Sequence, residues 1–218
     1  MFHVKHSIIH TEIQKDQLKR VNLLLDQYQD QFEKYSERLI WWNKKINLVS
    51  REVSRETVFE HIMHSLLLYD AVKRINPSNI LDTGTGGGLP GIPLALCFPE
   101  KEFILNDIVG KKIMAVKQMV LKLGLKNIKV DIKPINSVEL VERTLVVTKH
   151  AFKINELVLH LENKPWDQIL FLKGEREAIG ELNEIKESLI VNIINLDKVI
   201  QSGFYKGKAI VEVSKNNE

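Results

Sequence analysis

Cysteine is nearly missing from this chain: among 218 residues only Cys97 carries a thiol. No disulfide can form within the chain, and no cysteine-rich metal site can be built. Long apolar runs are missing too. The opening MFHVKHSIIH lacks the apolar stretch of a secretion signal, and no later segment approaches the roughly 20 apolar residues that cross a bilayer. The chain therefore reads as cytoplasmic, with no membrane partner. Neither sign of charge dominates, because 31 Lys and Arg face 28 Asp and Glu and leave a formal +3. That surplus permits a nucleic-acid partner without requiring one. There is no internal repeat and no low-complexity segment. With 44% hydrophobic side chains, one sizeable core and a small appended unit are expected.

What is present begins with a helical pattern. Apolar residues fall at Leu18, Val21, Leu25, Tyr28, Phe32, Tyr35, Leu39 and Trp42, in steps of three and four that predict one helix with a buried stripe. Its bulky aromatics and polar Gln and Asp neighbours suit packing on the chain's own body better than a coiled-coil dimer, so a monomer is expected. A second helix is predicted from Thr57, where Thr57 and Glu60 have the spacing of a capping box, to just before Pro77.

From Asn79 the pattern changes to short β-rich runs separated by helical ones: "NILDTG", "EFILND", "IKVDIK", "TLVVTK" and "QILFLKG" as strands, with "IPLALCF", "KKIMAVKQMVLKLG" and "INELVLHLEN" as helices between them. Alternation of this kind predicts βαβ units and a doubly wound, mostly parallel α/β sheet covered on both faces. The last runs, "IVNIINLDKVI" and "KAIVEVS", predict an antiparallel C-terminal hairpin. The expected organisation is an N-terminal helical extension over residues 1–76 and the α/β domain over residues 77–218.

Five of the eleven glycines crowd into "ILDTGTGGGLPG", residues 80–91, at the turn after the first strand of the alternating region. In open α/β sheets that turn borders the ligand crevice. Gly84, Gly86 and Gly88 lack Cβ, so the backbone can take positive φ and approach a cofactor closely. A dinucleotide fingerprint fits only from Gly86 to Gly91, several residues beyond the strand and interrupted by Pro90. An acid at the strand end followed by G-x-G-x-G is the pattern of S-adenosylmethionine sites, and Asp82, Gly84, Gly86 and Gly88 satisfy it. Thr85 lies inside this turn. Asp107 ends the second strand, where a carboxylate accepts ribose hydroxyls in either cofactor class.

These segments resemble the bacterial RsmG (GidB) family of methyltransferases. The similarity runs through "NLVS" at 47–50, "EHIMHSL" at 60–66, "LDTGTGGGLPGIPLAL" at 81–96, "LND" with "GKKI" at 105–113, "LGLKNI" at 123–128 and "LKG" at 172–174. The resemblance implies a Rossmann-like class I methyltransferase fold, S-adenosylmethionine as cofactor, and methyl transfer to N7 of a guanine in 16S ribosomal RNA or the small ribosomal subunit. It implies that Gly84 and Leu89 line the cofactor pocket, that Asp107 is the strand-two acid, and that Ile135, Asn136 and His150 lie beside the cofactor. Three positions depart from the family pattern: His64 replaces Asp, Asn136 replaces Glu and His150 replaces Arg. Those departures keep open a second reading, a methyltransferase-fold RNA-binding or assembly protein without turnover.

Guanine N7 has a free lone pair, so methyl transfer to it needs alignment more than a base. Lys173 and His150, at the ends of neighbouring strands, are the expected catalytic contacts to the N7–O6 edge or the adjacent phosphate. His61 and His64 stand three apart and lack a third ligand at metal spacing, so they read as an ordinary helix face with no metal. His160 reads as packing or surface. RNA contacts are expected from Lys44, Lys45 and Arg51, from Lys111 and Lys112, and from Phe204, Tyr205, Lys206 and Lys208 at the hairpin tip.

Overall fold

The computed structural model describes residues 6–50, 53–185 and 187–216. Eight strands form one sheet in the order β1-β7-β8-β6-β5-β2-β3-β4. They are β1 (Ser7–Glu12), β2 (Asn79–Thr83), β3 (Glu102–Asn106), β4 (Ile128–Asp131), β5 (Thr144–Lys149), β6 (Trp166–Gly174), β7 (Leu189–Asn195) and β8 (Lys208–Lys215). Neighbours pair in parallel except along β8, which runs antiparallel to both β6 and β7. The predicted C-terminal hairpin is thus β7 and β8, joined in the register Leu189↔Lys215. Buried runs such as Thr144–Thr148 in β5 reflect a sheet covered on both faces.

Side chains alternate between those faces. Ile80, Leu145, Val147, Leu170 and Leu172 join a core with helices α1 (Lys15–Gln27), α2 (Gln29–Asn43), α3 (Arg55–Leu66), α4 (Tyr69–Ile75), α5 (Gly91–Cys97) and α6 (Gly110–Leu123). Leu81, Val146, Ile169 and Phe171 face the other way, into a core closed by α7 (Ile154–His160) and α8 (Glu175–Leu182).

Three expectations need correction. Residues before 77 are not wholly helical, because β1 adds a parallel strand at the sheet's edge beside β7. The long first helix is two: its stripe holds at Val21, Phe32, Tyr35 and Leu39, all buried, but the backbone leaves helical geometry at Tyr28 (φ −108°, ψ 23°). The second helix is also two, and its cap is Ser54 rather than Thr57. The Ser54 hydroxyl accepts the Thr57 N–H at 3.1 Å and satisfies an amide that the first turn leaves free. It ends at Asn76 in the left-handed region (φ 49°), directly before Pro77.

The strand order reverses beside β2, which is flanked by β3 on one side and β5 on the other. A crevice opens at such a reversal because successive loops turn away from each other over opposite faces of the sheet.

Candidate active site at the carboxyl ends of the strands

The glycine turn follows β2 into this crevice. Asp82 is fully buried, and its Oδ2 accepts the Thr85 hydroxyl at 2.6 Å and the Gly91 N–H at 2.8 Å. The carboxyl therefore staples the turn to the start of α5. Burial raises it from 3.8 to about 7, with the two donors pulling the other way. From the N-terminal side, the Tyr35 hydroxyl donates to the Gly87 carbonyl at 2.9 Å. Asn43 Oδ1 accepts the N–H groups of Leu48 and Val49, holding residues 48–50 over the turn.

Two hollows of about 360 and 450 Å³ flank the turn and share Gly84, Lys112 and Ala151 in their walls. The larger contains Asp107, Ile108, Val109, Ile135 and Asn136. Asp107 is 6% exposed; its Oδ1 accepts the Val109 N–H at 2.9 Å and its Oδ2 the Gly86 N–H at 3.2 Å, with Lys112 Nζ at 3.9 Å. These contacts fix the carboxylate and leave acceptor capacity on both oxygens. Ile108, 68% exposed, presents an apolar surface directly after this acid.

The smaller hollow is walled by Ser50, His61, Gly86, Leu89, Lys149 and His150, among others. Lys149 Nζ stands 2.5 Å from Nδ1 of His61, which reaches across from α3. Burial and the nearby Lys208 lower the Lys149 ammonium to about 7 against the pull of Asp82. Burial, then Lys149 and Lys208, hold His61 at about 3, so its ring is neutral. The His61 ring lies edge-on to Phe204, with centroids 5.0 Å apart, and Lys208 Nζ sits 3.2 Å above the Phe204 ring. His64 is buried beneath, 6.0 Å from the His150 ring, and neither of its ring nitrogens has a hydrogen-bond partner among the described residues. His150 holds a left-handed backbone (φ 52°), a conformation uncommon for a non-glycine residue.

The structure thus brings Gly84, Thr85, Gly86, Leu89, Asp107, Ile135, Asn136 and His150 to one crevice. Other expectations are corrected. Asp82 is enclosed and committed to the turn, so it does not face the cofactor space. Gly88 (φ +95°) packs on α5, where a Cβ would lie 2.4 Å from Ile92 Cδ1, and it lines neither hollow. A Cβ at Gly84 would meet Ala151 Cβ at 2.3 Å. The turn is glycine-rich first because the chain packs against itself there. Lys173 is 1% exposed and paired with Glu181 at 2.5 Å, on the sheet face opposite Lys149, which removes it from the acceptor. Tyr205 is buried, its hydroxyl donating to the Glu60 carbonyl, so it offers no stacking surface. Arg51 lies outside the described residues. His61 lines the smaller hollow rather than an ordinary helix face, His64 is fully buried behind it, and His160 borders the larger hollow.

Lys149 is the residue that sequence reasoning missed. Its signal was parity: in β5 it shares a face with Leu145 and Val147, two and four positions before it. A larger hollow of about 860 Å³ lies against α1, α4 and β8. There Arg20 pairs with Asp70 and Arg74 with Glu212.

An eight-stranded mostly parallel sheet with a glycine turn at its switch point defines a Rossmann-like methyltransferase fold. It superposes on a ribosomal protein L11 methylase from Lactobacillus delbrueckii (TM-score 0.56, 15% identity, 72% of this chain and 79% of that one). It also superposes on the magnesium protoporphyrin IX methyltransferase of Synechocystis with bound SAM (TM-score 0.54, 14% identity, 80% and 90%). The family model for rRNA small subunit methyltransferase G matches residues 28–204. Proteins named ribosomal RNA small subunit methyltransferase G from Flavobacterium johnsoniae and Christiangramia forsetii are 34% and 37% identical to the chain. The alignments cover 90% and 86% of this chain and 95% and 90% of those relatives. The chain belongs to the rRNA small subunit methyltransferase G family. Among the described residues, no helix is long and apolar enough to cross a membrane.

Proposed function

We propose that the protein transfers the methyl group of S-adenosylmethionine to N7 of a guanine in 16S ribosomal RNA, acting in the cytoplasm as a monomer on the RNA or the small subunit. The observation that carries this reading is the pair of joined hollows at the strand reversal, one with an anchored carboxylate and the other with the glycine turn and a cationic wall. Family membership disfavours the reading without turnover.

The residues fit the cofactor. Asp107 has free acceptor positions for two ribose hydroxyls, and the exposed Ile108 and the Ile135 side chain give the flat apolar walls that an adenine ring needs. When bound, S-adenosylmethionine supplies a sulfonium-activated methyl group. Gly84 and Ala151, common to both hollows, would border the cofactor where the hollows join. The N7 lone pair forms the new bond to the methyl carbon as the carbon–sulfur bond breaks and its electron pair stays on sulfur. No proton leaves, so the chain's task is to hold N7 in line and exclude water, a contribution on the order of 7–11 kcal/mol. His61 is neutral at working pH and adds no positive charge beside the reacting centre. Lys44, Lys45 and Lys111 are exposed and would meet phosphates.

Calorimetry with S-adenosylhomocysteine, followed by methyl transfer to small subunits from a strain lacking this modification, tests the proposal. Binding in the micromolar range and one 7-methylguanine per 16S molecule are expected. Tight binding without transfer to RNA would overturn the proposed reaction.

A further inference from the structure

We infer that Lys149, steered by His61, donates to O6 of the acceptor guanine and so selects guanine over adenine while N7 stays bare for the methyl group. This deepens the proposed reaction and rests on it. Three observations place the residue for that task. Lys149 lines the smaller hollow with the glycine turn, on the sheet face of α3 rather than that of α8. Among the described residues it forms no ion pair; it donates one N–H to the neutral His61 Nδ1 and keeps two for a ligand. Behind His61, the Phe204 ring meets it edge to face and carries Lys208 Nζ above it.

The chemistry of that wall suits a purine. Rings can stack on or abut the base, and a fixed donor reads its edge. Guanine shows two acceptors there, N7 and O6, whereas adenine shows N7 and an amino donor at position 6. An ammonium placed at position 6 therefore meets an acceptor in guanine and a clashing donor in adenine. It reads position 6 without occupying the N7 lone pair. The donor's carboxylate is the other anion-like group that could reach this hollow, but rings are not its natural partners. No carboxylate side chain belongs to the hollow's described lining.

The test crosses two deletions. Small subunits reconstituted with 2-aminopurine at the methylated position keep N7 and lose O6, and Lys149→Met loses the ammonium. Each change alone should slow methyl transfer on the order of 100-fold, and the two together should cost little more than either. Multiplying losses, or a Lys149→Met enzyme at full rate on guanine, overturn the inference. Calorimetry keeps folding and cofactor binding apart from this role: Lys149→Met should bind S-adenosylhomocysteine with unchanged affinity. Weakened binding of S-adenosylhomocysteine with unchanged binding of 5′-methylthioadenosine would assign Lys149 to the donor's carboxylate and overturn the inference. If the unaltered enzyme transfers nothing to guanine, the proposed reaction fails and takes the inference with it; if transfer is normal and the losses multiply, the inference fails alone.

Discussion

Lys149 and Lys173 end neighbouring parallel strands, with Lys149 registered against Leu172, yet they live in different molecules' worth of chemistry. Lys173 lies on the face shared with Ile169 and Phe171, pairs with Glu181, and donates to the Phe152 carbonyl at 3.4 Å. Glu181 in turn accepts the Ile154 N–H at 2.7 Å, so this ion pair ties α8 to the start of α7. Lys149 lies on the other face, in the crevice, and among the described residues it pairs with no acid. The strand-end acids divide in the same way. Asp82 is enclosed and knits the turn; Asp107 lines a hollow and keeps acceptor capacity. One residue type at one kind of position thus serves the fold or the ligand according to the face it occupies and what covers that face.

The contrast between the lysines breaks most readily at Lys173. Lys173→Met should destabilise the protein by about 3–5 kcal/mol, because it leaves the Glu181 carboxylate buried without its cation. Urea denaturation measures this, and Lys173→Met with Glu181→Leu should recover much of the loss. A Lys173 variant that stays stable but cannot transfer methyl would return the residue to the acceptor side and undo the comparison.

Next in size is Asp107→Ala, expected to weaken S-adenosylhomocysteine roughly 100-fold through lost charged hydrogen bonds to ribose. Circular dichroism should stay native. Affinity within a few-fold of the unaltered protein would mean that the carboxylate holds the loop rather than the ligand.

Asp82 gives a pH signature of its own. Its buried carboxyl is raised from 3.8 to about 7, so between those values the folded chain holds a proton that the unfolded chain has lost. Its contribution to stability is fully present below about pH 4 and falls away as pH rises through about 7. Asp82→Asn should flatten the decline in denaturation midpoint between about pH 4 and 7; an unchanged slope would show that Asp82 is ionised in the fold.

Smaller still is Tyr35→Phe, which deletes one hydrogen bond to the Gly87 carbonyl and should cost about 1 kcal/mol. The smallest stability effect is expected at Lys149→Met. Since the ammonium is lowered to about 7, its removal relieves an unpaired cation, and the melting temperature at pH 7 should hold or rise by about 2 °C. A large fall would put Lys149 in the same structural class as Lys173.

Much of this was legible in the chain. The switch from three-and-four spacing to short β-rich runs at Asn79 located the sheet, and "DTGTGGG" followed by Asp107 located the crevice. β1 escaped notice because its six residues are all exposed and carry no alternating apolar signal. The break at Tyr28 escaped because an apolar stripe continues in phase across a single non-helical residue. The role of the glycines was half legible: positive φ follows from the residue type, but Ala151 and Leu48 as the atoms that need the space follow from contacts distant in the chain.

By itself, then, the sequence determined the parallel α/β architecture, the turn, the acid at the end of β3 and the family resemblance. These depend on short-range spacing and on residue types whose backbone freedom or charge does not depend on context. Only the tertiary structure decided which strand-end lysine looks into the crevice and which acid is enclosed. It joined His61 to Lys149 across 88 residues, a contact fixed by the face of the sheet on which α3 packs.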